Sequence, residues 1–231
     1  MQSMKITSAG SFLVGTLEDV NYTEKDYEKL VSMAPEDYEE ELAEMLEEAR
    51  SAARPVVLFG VCTTQKQNEQ IVLVNEVPVH SALASEKLSQ RNRCFPYIGT
   101  CGRELEEWSV KYKADPLAEY WADEIKKYFL GRILVEFRTH LKEIYHLGGH
   151  LTALNPGSIE SWPISGQEDL FGVLGGRVFV EEQIGVIYTD SYLMLPSKSV
   201  SGISFESEVF YENCQYCPLD KCPNRRAARL I

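Results

Sequence analysis

The chain has 231 residues, of which 44% are hydrophobic, 25% charged and 10% aromatic, a composition that can build a core and that excludes disordered and collagen-like classes. Thirty-five acidic residues against 23 basic ones give a net charge of −12, and the window from Leu17 to Arg50 alone holds 13 acids and 3 bases. A basic surface that would track phosphates is not expected, so nucleic acid is not an expected partner.

The opening residues Met1 to Ile6 lack the charged and then apolar run of a signal peptide. Tyr38, Leu42, Met45, Leu46 and Ala49 recur at helical spacing, with glutamates on the other face, and predict an amphipathic helix that Pro55 stops. Its acidic face reads as solvated surface. Residues 56–62 and Ile71 to Val74 read as strands separated by a polar turn from Thr63 to Glu69. Val56 to Cys62 is the most apolar stretch, yet it is far shorter than the roughly 20 residues a bilayer span requires. A short helix over Ser85 to Arg91 and a strand over Cys94 to Ile98 follow. Asp115-Pro116 supplies an N-cap and a first-turn proline. The period from Leu117 to Ile144 then predicts either one helix of about 42 Å or two broken at Gly131. Ser165 and Glu168 match a capping box ahead of Leu170, Phe171 and Leu174. Segments 177–181, 184–195 and 200–206 read as adjacent, mostly antiparallel strands. The class is α+β, because helices and strands mix without a βαβ alternation.

The sharpest chemical signal is Cys214-x2-Cys217-x4-Cys222, with proline after Cys217 and Cys222. Three thiols at such spacing can wrap one soft metal, and both a [4Fe–4S] cluster and zinc suit thiolates. Cys101, at a strand-to-helix turn beside Gly102, is the first candidate for the fourth ligand, its thiol expected to be accessible. Cys62 and Cys94 lie in apolar strand patterns and read as core. Six cysteines used in this way point to a reducing cytoplasm rather than a disulfide framework. His140, His146 and His150 cluster near the end of the long helix, where Gly148-Gly149 separates the last from the helix; His140 and His146 read as helix-end residues. Two polar segments remain. Asn155-Pro156-Gly157-Ser158 is a turn that lets backbone approach a ligand. Ser197, Lys198, Ser199, Ser201 and Gly202 place hydroxyls and one ammonium between apolar strands, as a cofactor cleft or an ordinary strand turn would.

Taken in order, Thr100-Cys-Gly-Arg-Glu-Leu105, then Asn155-Pro-Gly-Ser158 with Trp162-Pro-Ile164, then Ile184-Gly-Val186 through Pro196-Ser-Lys-Ser-Val-Ser201, resemble the activation domain of cobalamin-dependent methionine synthase. The chain is similar in particular to short, free-standing relatives that end in a cysteine cluster, and the resemblance covers about residues 35 to 231. It implies a twisted, mostly antiparallel sheet with flanking helices over residues 1–209 and a cysteine-rich metal-binding tail over 210–231 packed on it. It further implies S-adenosylmethionine bound between Asn155, Pro156, Gly157, Ser158 and the segment Ser197 to Gly202, and a partner that holds the corrinoid. The implied function is accessory: reductive activation or support of a corrinoid methyltransferase, such as a methionine synthase lacking its own activation domain, in the cytoplasm, with neither nucleic acid nor membrane involved. The family carries an arginine and a following tyrosine around this Pro-Gly, where the present chain has Ala153 and Ser158. Lys198 or Arg177 would then have to hold the ligand carboxylate. The alternative is a non-catalytic iron–sulfur or zinc electron-transfer module on the same scaffold.

Overall fold

The computed structural model describes residues 4–158, 161–209, 211–215, 217, 219, 221–222, 225 and 227–229. The chain begins with a hairpin of β1 (Met4–Ala9) and β2 (Phe12–Leu17), turned at Gly10. Next come α1 (Glu24–Val31) and α2 (Glu39–Ala52). Leu42, Met45, Leu46 and Ala49 of α2 are buried as the periodicity required, while the acidic side faces out. β3 (Val56–Phe59) is followed by a small meander of β4 (Thr64–Lys66), β5 (Ile71–Val74) and β6 (Val77–His80). The stretch expected as a turn from Thr63 to Glu69 therefore contains a strand, because Thr64 to Lys66 pairs with Val72 to Val74.

α3 (Ala82–Leu88) starts three residues earlier than expected, since the Ser81 hydroxyl accepts the Ala84 N–H at 3.1 Å and caps it. β7 (Phe95–Thr100) leads through Gly102, at φ +100°, into α4 (Arg103–Ser109). α5 (Pro116–Ile144) is a single 29-residue helix, unbroken at Gly131, and the Asp115 carboxylate caps it by accepting from Leu117 N–H at 2.8 Å and Ala118 N–H at 3.3 Å. Trp121, Ile125, Phe129, Ile133, Phe137 and Leu141 recur every fourth residue and are all buried.

β8 (His150–Leu154) was not foreseen as a strand. α6 (Gln167–Val173) follows a 3₁₀ turn at Ile164–Gly166, and no side chain caps it, so the capping box from Ser165 to Glu168 does not form. The segment expected as a strand over 177–181 is helical: α7 (Arg177–Ile184) runs between Gly176 at φ +94° and Gly185 in the left-handed region at φ +70°. Of the strand expected over 184–195, only β9 (Ile187–Tyr188) and β10 (Met194–Leu195) are extended, paired with each other. β11 (Ser199–Ser207) meets expectation in extent, but it pairs with β7 and β8 and not with the segments just before it.

Among the described residues the main sheet has the order β1-β2-β3-β7-β11-β8, with every neighbour antiparallel. One face packs on α5, where the Phe137 ring lies 5.1 Å from both Phe59 and Tyr97. The other face is covered by α3, α6, α7 and the meander around Ile98, Ile203, Leu170 and Phe171. A third cluster joins α2, α4 and α5 beyond the Thr100 end of β7. No described helix is long and apolar enough to cross a membrane.

Candidate functional site

β11 lies between β7 and β8, with Ser199 opposite Thr100 and Ile203 opposite both Pro96 and Leu154. This register separates the residues expected to form one cleft into two groups. At one end, the Asn155 side-chain amide donates to Tyr97 Oη at 3.1 Å and Ser201 O at 2.6 Å, and its oxygen accepts from Asn213 Nδ2 at 2.6 Å. Gly202 permits this closeness, because a Cβ there would stand 2.5 Å from Asn155 Nδ2 and 2.6 Å from Leu154 O. The Ser201 hydroxyl is buried and donates to Gln167 Oε1 at 2.6 Å. Gly157, at φ +78°, returns its N–H to Trp162 O at 2.8 Å, and Ser158 N–H closes the turn on Asn155 O at 3.2 Å.

At the other end, Ser199 Oγ donates to Pro196 O at 2.7 Å and lies 2.9 Å from Thr100 Oγ1. Lys198 Nζ pairs with Asp123 at 2.8 Å. Ser197 offers both its hydroxyl, at 2.8 Å, and its N–H, at 3.2 Å, to the Glu106 carboxylate. Lys126, a buried cation on α5, completes this cluster with Nζ 3.3 Å from Glu106 Oε2, 3.1 Å from Ser109 Oγ and 3.4 Å from Ser197 Oγ. Burial pushes the Glu106 carboxyl up, but the Ser197 hydroxyl, the Lys126 charge and the Ser197 N–H together hold it below the usual value of 4.5. The serine hydroxyls of the segment therefore already have protein partners. Sequence reading missed Glu106 and Lys126, although a lysine inside the apolar stripe Ala122, Lys126, Phe129 was a visible signal for a buried pair.

A groove of about 280 Å³ opens beside this cluster, lined by Arg103, Glu106, Glu107, Gly185, Ile187, Leu195 and Pro196. Arg103 lines its rim, with Nε donating to Gly185 O at 2.7 Å and a terminal nitrogen 3.1 Å from Glu181. Its wall of Ile187, Leu195 and Pro196 is apolar, and its rim carries carboxylates and a guanidinium. Such a surface suits a ligand with one flat or apolar part and a few polar groups. Arg177, the other cation considered for a carboxylate, instead donates to Tyr188 O at 2.9 Å and lies over the Tyr188 ring at 4.2 Å.

Cys101 sits at the strand-to-helix turn as expected, but its thiol is fully buried among α2, α4 and α5 and is not accessible. Burial pushes it up to about 12, with Lys126 and Lys198 opposing and Glu106 assisting, so without a metal beside it the thiol is protonated at neutral pH. Cys62 and Cys94 are core residues that face each other across an isolated antiparallel bridge. His140 is half-buried, packs edge-on against Phe59, and is lowered by that burial. His146 adopts φ +50° just past the helix end, and His150 opens β8.

In the tail, Cys214, Cys217 and Cys222 are half-buried. The Arg225 guanidinium gathers the backbone around it, donating to Cys214 O at 2.5 Å, Leu219 O at 2.5 Å and Cys217 O at 3.3 Å. Among the described residues no three His, Cys, Asp or Glu side chains converge as metal ligands. Cys101, expected as the fourth partner of these thiols, belongs to the buried cluster of α2, α4 and α5.

No family model and no curated protein matches this sequence. Among solved structures, the chain is similar to the crystal structure of the MetH reactivation domain bound to AdoHcy, with a TM-score of 0.59 and 16% identity. The match covers 75% of this chain and 66% of that one, so the chain spans just under two thirds of that structure's length. The likeness shows that the two share an α+β fold.

Proposed function

We propose that this protein is an accessory component of a corrinoid-dependent methyltransferase of the methionine synthase type, supporting its reductive reactivation from the cytoplasm. The observation that carries this reading is the shared fold with the MetH reactivation domain, joined to the order of the Thr100, Asn155 and Pro196 segments along the chain. The partner holds the corrinoid, and this chain contributes an S-adenosylmethionine or S-adenosylhomocysteine site. We place that ligand in the groove at Pro196, with Ser197, Lys198 and Ser199 following it in the chain, and not at the separate hydrogen-bonded group of Asn155, Pro156, Gly157, Ser158, Ser201 and Gly202. The apolar wall would take the adenine, Glu107 the ribose hydroxyls, and Arg103 the carboxylate left without its arginine at Ala153. Because Arg103 already serves Gly185 and Glu181, affinity is modest, with Kd on the order of 10–100 μM. Calorimetry with S-adenosylhomocysteine tests this: wild type gives heat and Arg103→Ala loses it at least tenfold. A wild type silent at millimolar ligand overturns the ligand assignment, and failure to bind a cob(II)alamin-loaded methionine synthase fragment at low salt overturns the partner.

The alternative, a metal-binding or electron-transfer module, is favoured by one feature, the spacing of Cys214, Cys217 and Cys222. Under that reading the three half-buried thiols rearrange around a [4Fe–4S] cluster or zinc and draw a fourth ligand from elsewhere. Protein purified without oxygen carries iron or zinc that Cys217→Ser releases; wild type free of both metals rejects it.

A further inference from the structure

We propose that a groove at the opposite end of β7 and β11 from Pro196 binds a zwitterionic α-amino acid with an apolar side chain. Two adjoining cavities, of about 410 and 630 Å³, share Arg91 and Glu206 as walls; Arg93, Phe95 and Leu147 are among the residues that line the first, and His150 and Glu208 among those that line the second. Arg103, Arg132, Arg177 and Arg225 each direct N–H groups to a carboxylate, hydroxyl or carbonyl. Arg91 and Arg93 have no side-chain hydrogen bond or ion pair among the described residues, and Arg91 Nε is buried without a partner. Arg91 Nε is itself enclosed, so a carboxylate in the groove would be met by the other nitrogens of the Arg91 fork.

Arg93 is held ready by its rings, its guanidinium carbon 5.4 Å from the Phe95 centroid and 5.1 Å from that of Tyr145. This cation–π seat fixes a planar fork suited to bidentate capture of a carboxylate. Glu206 is fixed as well, accepting Gly149 N–H at 2.7 Å. Two guanidinia and two carboxylates that line these adjoining cavities, with no ion pair between them among the described residues, form a dipolar surface. A polyphosphate would be repelled by Glu206 and Glu208, whereas an α-carboxylate and an α-ammonium on adjacent bonds satisfy both signs. Phe95 and Leu147 then meet the side chain, selecting an apolar one.

The test uses L-leucine and L-methionine against 4-methylpentanoate, which is the leucine skeleton without its ammonium, read by NMR titration at up to about 10 mM, enough to fill a site of about 1 mM Kd. Both amino acids bind the wild type, and Arg93→Ala and Arg91→Ala each weaken them at least tenfold, while Arg138→Ala on the exposed side of α5 does not. Glu206→Gln, which keeps the acceptor for Gly149, weakens L-leucine and does not weaken 4-methylpentanoate, which loses a repelling charge. 5′-Methylthioadenosine, lacking the amino acid, does not shift these residues, whereas S-adenosylhomocysteine shifting them in place of the Pro196 groove would assign the amino-acid group to that ligand rather than to a free amino acid. Circular dichroism confirms each variant folded. No binding of either amino acid, or binding indifferent to both arginines, overturns the proposal, and neither outcome bears on the Pro196 groove.

Discussion

Lys126 lies in the buried stripe of α5 and reaches Glu106, Ser109 and Ser197 at once, so removing its charge leaves a carboxylate and two hydroxyls without their cation. Lys126→Met should therefore destabilise the protein by about 1–2 kcal/mol at pH 7, a figure reduced because Glu106 remains about a third exposed to screening solvent. The Glu106 carboxyl is depressed in the fold, so its contribution is fully present above the ordinary value of 4.5 and disappears as pH falls through the lower folded value. Urea unfolding of wild type and variant at pH 7 and at pH 3 should show the gap shrinking in acid. Gly202→Ala belongs to the same scale. Its Cβ would meet Asn155 Nδ2 at 2.5 Å and backbone at 2.6 Å, so a loss of about 1–3 kcal/mol is expected in the same assay. Some residue roles could be read from the chain alone. Cys62 and Cys94 were legible as core because each sits in an apolar run. Cys101 was not, because its depth depends on α2 and α5 packing over it from distant sequence.

At the scale of elements, α5 offers a clean test of helix propensity. Gly131 faces open space and its Cβ would touch nothing within 4 Å, so Gly131→Ala should stabilise by about 0.5–1 kcal/mol, raising the thermal midpoint by a few degrees. Gly185→Ala should act oppositely. It ends α7 at φ +70°, and a Cβ would lie 2.7 Å from Arg103 Nε, which holds the rim of the Pro196 groove. A loss of at least about 1 kcal/mol, with weaker S-adenosylhomocysteine binding, is expected. The α7 segment also shows where pattern reading fails. Arg-Val-Phe-Val is rich in strand formers, but Val180 and Ile184, four apart, are the buried pair and Val178 is exposed, so tertiary contacts with the sheet select helix over intrinsic preference. The two glycines that bracket it, Gly176 and Gly185, were the sequence signal for a helix end.

For the whole molecule, β8 is an edge strand and the segment after β11 closes it. Thr152 Oγ1 donates to Tyr211 O at 2.6 Å, Tyr211 is buried, and Asn213 reaches Asn155. Truncation after Glu208 should remove about 2–4 kcal/mol through the lost ring burial and hydrogen bonds. It should also leave an open edge that self-associates, visible as larger species on size-exclusion chromatography. A truncated chain that stays monomeric with unchanged thermal stability would show that the tail does not protect the sheet.

The sequence by itself determined the α+β class, the capped start of α5, the buried faces of α2 and α5 and the extent of β11, because each is written in local periodicity, capping chemistry or turn residues within one turn or strand of chain, whereas the continuity of α5 through Gly131 was left open. It also marked Ser197 to Gly202 as a polar stretch inside an apolar one. Only the tertiary structure decided that Ser199 and Ser201 face protein partners, that Glu106 and Lys126 converge on Ser197, and that Arg91 and Arg93 share a groove with Glu206. Most of these juxtapositions join residues far apart in sequence, 34 positions for Ser201 and Gln167 and 71 for Lys126 and Ser197, and they follow from the strand order β3-β7-β11-β8, which no local pattern encodes. Strand order is settled by which faces can be buried together, and that is a property of the assembled sheet.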